Sequence, residues 1–402
     1  MNKDKHIPSG YKPSPLGPIP EDWEVKRIGD FGKVVTGSTP PTEDAENYGL
    51  TYKFVSPADI SDNKYIQETE KHLSEKGFAI SRRMPKGTVL FTCIGSTIGK
   101  CAVANEELTS NQQINAVICD SNHNGDYLYY ELCNRSGRIR QIAGEQAVPI
   151  INKSTFESFK IICPTLSEQN RIATLLSLWD TAIAKQTALI EKLTLRKRGL
   201  MQQLLTGKRR LKGFEGGNFH RLGNYISECT RRNAGCNRVL SVTNTRGFIL
   251  QEEQFDKIVA SNDTSNYKVV RRGEFAYNPS RVNVGSLAML NEYDEGILSP
   301  MYIVFKANEN IDKTYLLQCL QSWWFRGHIP AYTQGSVRDS LSFDGLCSMK
   351  FYIPTLQEQK AISAILERAD KEIDIQKQKL TAMQEQKKGL MQVLLTGKKR
   401  VK

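Results

Sequence analysis

Two short stretches carry residue types whose spacing could do chemistry. Gly95-Ser96-Thr97-Ile98-Gly99-Lys100-Cys101 has the small residues and the lysine of a loop that cradles nucleotide phosphates. Such a loop needs four residues between its glycines, so that successive backbone N–H groups wrap the phosphates, and a Ser or Thr after the lysine to hold magnesium. Here only Ser96, Thr97 and Ile98 separate the glycines, and Cys101 follows the lysine. That favours a loop whose small residues and Lys100 touch nucleic-acid phosphate from outside. Asn278-Pro279-Ser280 resembles the catalytic tetrapeptide of amino-methyltransferases, but the second proline and the aromatic ring are missing. The five histidines, His6, His72, His123, His220 and His328, form no ligand-spaced pair and read as surface or core residues. The nine cysteines are odd in number and contain no C-x-x-C pair. This argues against a disulfide framework or a zinc site, and for small core residues in a reducing compartment. No catalytic residue and no metal ligand is assigned.

The bulk of the chain narrows the setting. Its 402 residues suffice for two or three domains, and a hydrophobic content of 39% supports packed cores. A net charge of +12 suits a polyanionic partner without identifying one. No stretch resembles a signal peptide or is apolar for long enough to span a membrane, so a soluble cytoplasmic protein is expected.

The elements that must position any site emerge from an internal repeat. From Pro164 the chain reads PTLSEQNRIATLLSLWDTAIAKQTALIEKLTLRKRGLMQQLLTGKRRLK, and from Pro354 PTLQEQKAISAILERADKEIDIQKQKLTAMQEQKKGLMQVLLTGKKRVK. The two align without a gap, with roughly 22 identities in 49 positions, at a period of about 190 residues. Weaker echoes lie upstream. Arg27-Ile28-Gly29-Asp30-Phe31 matches Arg221-Leu222-Gly223-Asn224-Tyr225, Lys86-Gly87 matches Arg272-Gly273, and Tyr127-Leu128 matches Tyr315-Leu316. The offset drifts across these pairs, so the order is A–B–A′–B′ with B rigid and A variable in its loops. The boundaries are 1–163, 164–212, 213–353 and 354–402.

Each B segment reads as one long helix. Thr165 stands three before Glu168 and Thr355 three before Glu358, the spacing of a capping box in which hydroxyl and carboxylate each serve a free backbone N–H. Gly207 and Gly397 end the helices after about 40 residues, or roughly 60 Å. Apolar residues recur at alternating steps of four and three, the pattern of a coiled-coil seam. In the first helix they are Ile172, Leu176, Trp179, Ile183, Ile190, Leu193, Leu200 and Leu204; in the second, Ile362, Leu366, Ala369, Ile373, Leu380, Met383, Leu390 and Leu394. Gln186 and Gln376, then Lys197 and Lys387, interrupt the seam at matching places. These polar residues either fix register or lean out to water. Entry and exit points of a compact domain tend to lie close together, so the second helix should begin where the first ends. The pair would run antiparallel, with an approximate twofold and an A domain at each end.

The A segments mix short β-like runs with helices. Thr88–Phe91, Ala116–Ile118, Glu274–Tyr277 and Tyr302–Phe305 read as strands, and helices are expected around Tyr127–Cys133 and Tyr315–Ser322. The proline-rich opening to Pro20 reads as an extended arm, and Trp323 and Trp324 as core of the second domain. The fold class is α+β, with two mixed domains separated by two long antiparallel coiled-coil helices.

Taken together, the chain resembles the specificity subunit of type I restriction–modification enzymes over essentially its whole length. The features that carry this are the opening IPEDWEVKRIGDF, the TGSTP at Thr36–Pro40, the paired PTLSEQ and PTLQEQ, and the ends GLMQQLLTGKRR and GLMQVLLTGKKR. The resemblance implies two target-recognition domains, each reading half of a split, asymmetric double-stranded DNA site, and two helices that dock two modification (methyltransferase) subunits. Restriction subunits with translocase and nuclease activity would join that core. Methylation, ATP hydrolysis and cleavage, with S-adenosylmethionine, ATP and magnesium, would belong to the partners. This chain itself would be non-catalytic and hold no cofactor. A coiled-coil scaffold that does not read DNA is the alternative; it explains the helices but not two variable, basic, loop-rich domains.

Base reading needs Arg or Lys for guanine and Asn or Gln for adenine, on loops that reach the major groove. The candidates in the first domain are Thr36, Ser38, Thr39, Arg82, Arg83, Ser96, Thr97, Lys100, Asn111, Gln112 and Gln113. In the second they are Arg231, Arg232, Asn233, Asn244, Arg246, Asn278, Ser280, Arg281, Asn283 and Arg338. About half of the cations are expected to be solvated surface charges. Residues 111–113 could equally be turn residues before a strand. Gly95 and Gly285 read as backbone-turn positions.

Overall fold

A computed structural model of the chain describes residues 7–143, 149–254, 263–333 and 340–401. Two compact units emerge, Met1–Thr187 with Lys379–Lys402, and Ala188–Gln378. Each therefore takes one globular segment and adjoining parts of both long helices. A lone helix has no core of its own, so each stretch of helix joins the core it covers.

In the first unit, strands Gly32–Thr36, Ile114–Cys119, Val89–Thr92 and Cys101–Val103 lie side by side in that order, all antiparallel. In the second, Ile226–Glu228, Ile303–Ala307, Phe275–Tyr277 and Leu287–Met289 repeat the order and the directions. Successive side chains in a strand point to opposite faces, and both sheets use the two faces alike. Val89 and Phe91 join the helices' core while Leu90 enters a separate cluster with Val55, Ile60 and Met84. Phe275 and Tyr277 likewise face helices, and Ala276 faces Leu240, Val270 and Leu298. One face of each sheet thus serves the shared frame and the other carries the part that differs. In the first unit that part contains a small sheet in the order Thr109–Ser110, Tyr52–Val55, Lys71–Leu73, Tyr48–Gly49. In the second it contains two separate pairs, Leu240–Thr243 with Gly247–Leu250 and Lys268–Arg271 with Glu295–Leu298.

The frame's helices start on side-chain caps. Asn124 accepts from the Tyr127 N–H at 2.9 Å to open helix Gly125–Ile142, and Asp312 accepts from the Tyr315 N–H at 2.8 Å to open Lys313–Gln321. The first helix is one piece and longer than the sequence suggests. Its counterpart breaks at Ser322, whose Oγ accepts from Phe325 N–H at 3.1 Å and starts a new helix, Trp323–His328. Trp324 packs its ring on Phe351 and His328, but Trp323 is 79% exposed, so the expectation of a core tryptophan fails there. The break turns the side chain outward. The opening segment is also more than an extended arm. Tyr11–Lys12 pairs with Ile19–Pro20, Ile19 is buried, and Tyr11 OH donates to the Gly397 carbonyl at 2.7 Å.

The long helices span Leu166–Leu204 and Leu356–Leu394. Gly207 and Gly397 follow with φ of +70° and +72°, a left-handed turn that glycine adopts without a Cβ clash. Every seam residue expected from the heptad pattern is buried or half-buried. The two helices run antiparallel within each unit. In the first, Lys387 pairs with Asp180; in the second, Lys197 pairs with Asp370 at 2.5 Å. The seam lysines thus reach acids on the facing helix, and the reading in which they lean out to water fails. Gln186 is buried and Gln376 half-buried.

Candidate nucleic-acid interface

A lock built twice from the repeated motifs ties the start of one long helix to the tail of the other. Arg400, just beyond the second long helix, donates to both carboxylate oxygens of Glu168, at 2.8 and 2.7 Å, and to both of Asp22, at 2.9 and 2.7 Å. Trp23 Nε1 donates to Glu168 at 2.8 Å. In the second unit Arg210 donates to both oxygens of Glu358, at 3.0 and 2.6 Å. Two parallel bonds from one guanidinium to one carboxylate are strong and directional. The capping box is therefore only half formed. Thr165 and Thr355 accept from the N–H of Glu168 and Glu358, each at 3.4 Å, while both carboxylates turn to arginine instead of the helix N-terminus. Burial works against ionisation of Glu168, but the bonds from Arg400, Trp23 and the Val401 N–H outweigh it and hold the carboxyl below its ordinary range.

The neighbouring glutamines tie this lock to the domains. Gln169 accepts from the Asn124 N–H at 2.9 Å and donates to the Pro164 carbonyl at 2.9 Å. Gln359 accepts from the Asp312 N–H at 2.7 Å and donates to the Pro354 carbonyl at 2.9 Å. Tyr127 OH reaches the Ile162 carbonyl at 3.0 Å and Tyr315 OH the Tyr352 carbonyl at 2.7 Å. These contacts account for the duplicated EQ and Tyr-Leu motifs.

In the first unit the structure gathers most of the candidates. Thr36 donates to Asn115 at 2.7 Å, Ser38 accepts from the Arg82 N–H at 3.0 Å, and Arg82 Nη1 donates to the Thr36 carbonyl at 2.8 Å. Thr39 donates to Gln112 at 2.6 Å. Asn111 accepts from the Gln113 N–H at 3.1 Å, the turn expected before strand Ile114–Cys119, and Gln113 lies beside Gly95. Ser96 is exposed and Thr97 half-buried in that neighbouring loop. Two cations are committed elsewhere. Lys100 donates to the Ile60 carbonyl at 2.8 Å, and Arg83 stacks over Phe78 at 4.8 Å.

In the second unit most arginines are likewise committed. Arg231 is paired with Glu274, Arg232 donates to the Asn266 carbonyl at 2.5 Å, and Arg246 lies 3.7 Å from Glu253. Asn233 folds its own turn, accepting from the Gly235 and Cys236 N–H groups, and Asn283 accepts from the Val284 N–H at 2.9 Å. Asn244 is exposed at the tip between strands Leu240–Thr243 and Gly247–Leu250. Asn278, Ser280 and Arg281 line an open concavity of about 580 Å³ with Pro279, Met301 and Ser340. Arg338 lies outside the described residues.

The two enzyme-like motifs turn out to be one feature met twice. Residues 93–100 join strands Val89–Thr92 and Cys101–Val103, and residues 278–286 join Phe275–Tyr277 and Leu287–Met289. Both are hairpin loops on the same strand pair. Gly99 and Gly285 close them with the same φ of +98°. A phosphate-cradling loop must open onto a helix N-terminus, whereas Lys100 runs straight into a strand. The residues present do not fit a nucleotide. No group of three His, Cys, Asp or Glu side chains suited to a metal converges among the described residues. The sequence reading missed Arg326. A Cβ built on Gly285 would lie 3.2 Å from its Nη2, and no spacing in the chain connects positions so far apart.

Comparison with known proteins agrees with this architecture. Residues 20–195 and 252–385 match the family model described as type I restriction modification DNA specificity domain. The MjaVIII specificity subunit of Methanocaldococcus jannaschii is 26% identical over 426 residues, covering 96% of this chain and 94% of its own length. The MjaIX specificity subunit of the same organism is 35% identical over 194 residues, covering 46% of this chain and 45% of its own. The solved S subunit of a type I system from M. genitalium shares the fold, with a TM-score of 0.56 at 14% identity over 98% of both chains. No helix among the described residues is long and apolar enough to cross a membrane.

Proposed function

The chain belongs to the family of type I restriction–modification DNA specificity subunits, and from that membership we propose that its two units read the two unlike halves of one asymmetric DNA site. Sequence recognition is the family's role, and the scaffold reading without DNA is not favoured. The observation that carries the finer proposal is the pairing of two equivalent frames with two different inserts. Equivalent frames present loops in equivalent poses, and different inserts carry different base-reading side chains.

The long helices are the proposed docking elements for two modification subunits, with restriction subunits joining that assembly. Leu178 and Leu195 on the first helix and Ile375 on the second are 62%, 70% and 60% exposed, which suits burial by a partner. Methyl transfer, ATP hydrolysis and cleavage, with S-adenosylmethionine, ATP and magnesium, are assigned to those partners. Genome-wide base-modification sequencing tests this in a host carrying the partner methyltransferase, with and without this chain. A split asymmetric motif that disappears on deletion of the chain is expected. Retention of every motif in the deletion strain would overturn the proposal.

A further inference from the structure

Each recognition loop has one helix residue packed against its left-handed glycine. In the first unit it is Ser136, whose Cβ would lie 3.2 Å from a Cβ built on Gly99. Its hydroxyl is spent on its own helix, donating to the Cys133 carbonyl at 2.9 Å. In the second unit the place belongs to Arg326, 3.2 Å from a Cβ built on Gly285, with the Asn244 Cβ at 3.4 Å. The flanking core residues confirm the match, since Ile139 and Ile329 are both buried three positions further on. One architectural position thus holds a satisfied hydroxyl in one unit and a guanidinium in the other.

Charge bookkeeping singles this arginine out further. Arg82, Arg231, Arg232 and Arg246 all have carboxylate or carbonyl partners. Arg281 and Arg326 are exposed, and neither side chain has a hydrogen-bond or ion-pair partner among the described residues. Arg281 lines the concavity at the start of the loop, and Arg326 stands against its closing glycine. A planar fork with donors only matches the two acceptors, O6 and N7, that guanine shows in the major groove; adenine puts a donor there.

We propose that Arg326 is a specificity-determining residue that reads a guanine in the half-site taken by the second unit, with Arg281 on a neighbouring position. This rests on the reading that each unit takes one half-site. The test uses the complete chain with its methyltransferase partner and compares wild type, Arg326→Ser and Arg326→Lys by base-modification sequencing. Arg326→Ser installs the residue type that the first unit carries at this place. Expected is relaxation at one G·C pair of one half-site, with discrimination there down roughly 5- to 150-fold and the other half-site unchanged. Arg326→Lys, a point charge without the fork, should recover only part of it.

An unchanged motif, with weaker binding and a salt dependence reduced by about one unit, would make Arg326 a phosphate contact and overturn the proposal. Relaxation of both half-sites together would also overturn it, as a folding defect. Should Arg326→Ser abolish methylation, selection of a randomised half-site by the assembled complex replaces the genomic readout. Retained guanine then counts against the proposal and lost guanine for it. Failure of the underlying reading is visible separately, as a wild-type motif that is not split or does not depend on this chain.

Discussion

The two units share a frame and differ in what the frame carries. The four-stranded sheet, its capped helix and the arginine–glutamate lock occur in both, whereas the first insert forms a single small sheet and the second two separate strand pairs. The contrast shows where sequence can vary without loss of fold. Frame contacts bury carboxylates and backbone groups that bond specific partners, so a substitution there strands at least one polar group. Insert loops keep their polar tips in water, where exchange costs little.

The largest effect should come from opening the locks. Glu168→Ala strands the Trp23 and Val401 N–H groups, leaves Arg400 with Asp22 alone and should cost about 3 kcal/mol; Glu358→Ala should cost less, because Arg210 is more exposed and no tryptophan among the described residues bonds Glu358. Denaturant unfolding of the two variants checks this, and equal losses would erase the asymmetry. Next come the loop glycines. Gly99→Ala should destabilise by about 2 kcal/mol and Gly285→Ala by about 1 kcal/mol. The backbone strain is the same, but the new methyl meets a rigid Ser136 Cβ in one case and a flexible guanidinium in the other. Thermal melting separates them.

Acid offers a sharper probe of the first lock. Glu168 titrates lower in the folded protein than in the unfolded chain. Its contribution is therefore present above the unfolded value, near pH 4.3, and is lost as pH falls through the folded value. Wild type should lose more melting temperature than Glu168→Gln when moved from about pH 5 to about pH 3. A parallel fall in both would refute the linkage. The smallest effect belongs to the seam. Lys387→Met and Lys197→Met should each change stability by no more than about 1 kcal/mol, because both pairs are partly solvated. A loss of several kcal/mol in either would mean that the pairs set helix register.

Much of the frame was legible in the sequence. The long helices, their glycine stops and the seam follow from periodicity and capping, which are local. The strands that follow Lys86-Gly87 and Arg272-Gly273 were visible as echoes. The inserts were less legible, since pairings such as Tyr52–Val55 with Thr109–Ser110 join distant segments with no pattern to announce them. The outward turn of Trp323 was missed because a helix end expected near Ser322 does not say where the next side chain points, which the Ser322 cap on the Phe325 N–H decides in the fold. Of the candidate contacts, Thr36, Ser38, Thr39, Arg82 and residues 111–113 do converge, but their hydrogen bonds to one another were invisible.

By itself the sequence determined a duplicated chain with two long capped helices and two domains of variable loops, because an ungapped repeat, heptad periodicity and helix caps are local signals. The tertiary structure alone decided that Glu168 answers Arg400 rather than its own helix end. It also decided that two motifs with the look of enzyme loops are one hairpin used twice, and that Arg326 comes to stand beside Gly285. Such contacts depend on how distant segments close on one another. That closure is set by the packing of whole sheet faces, which no local spacing encodes.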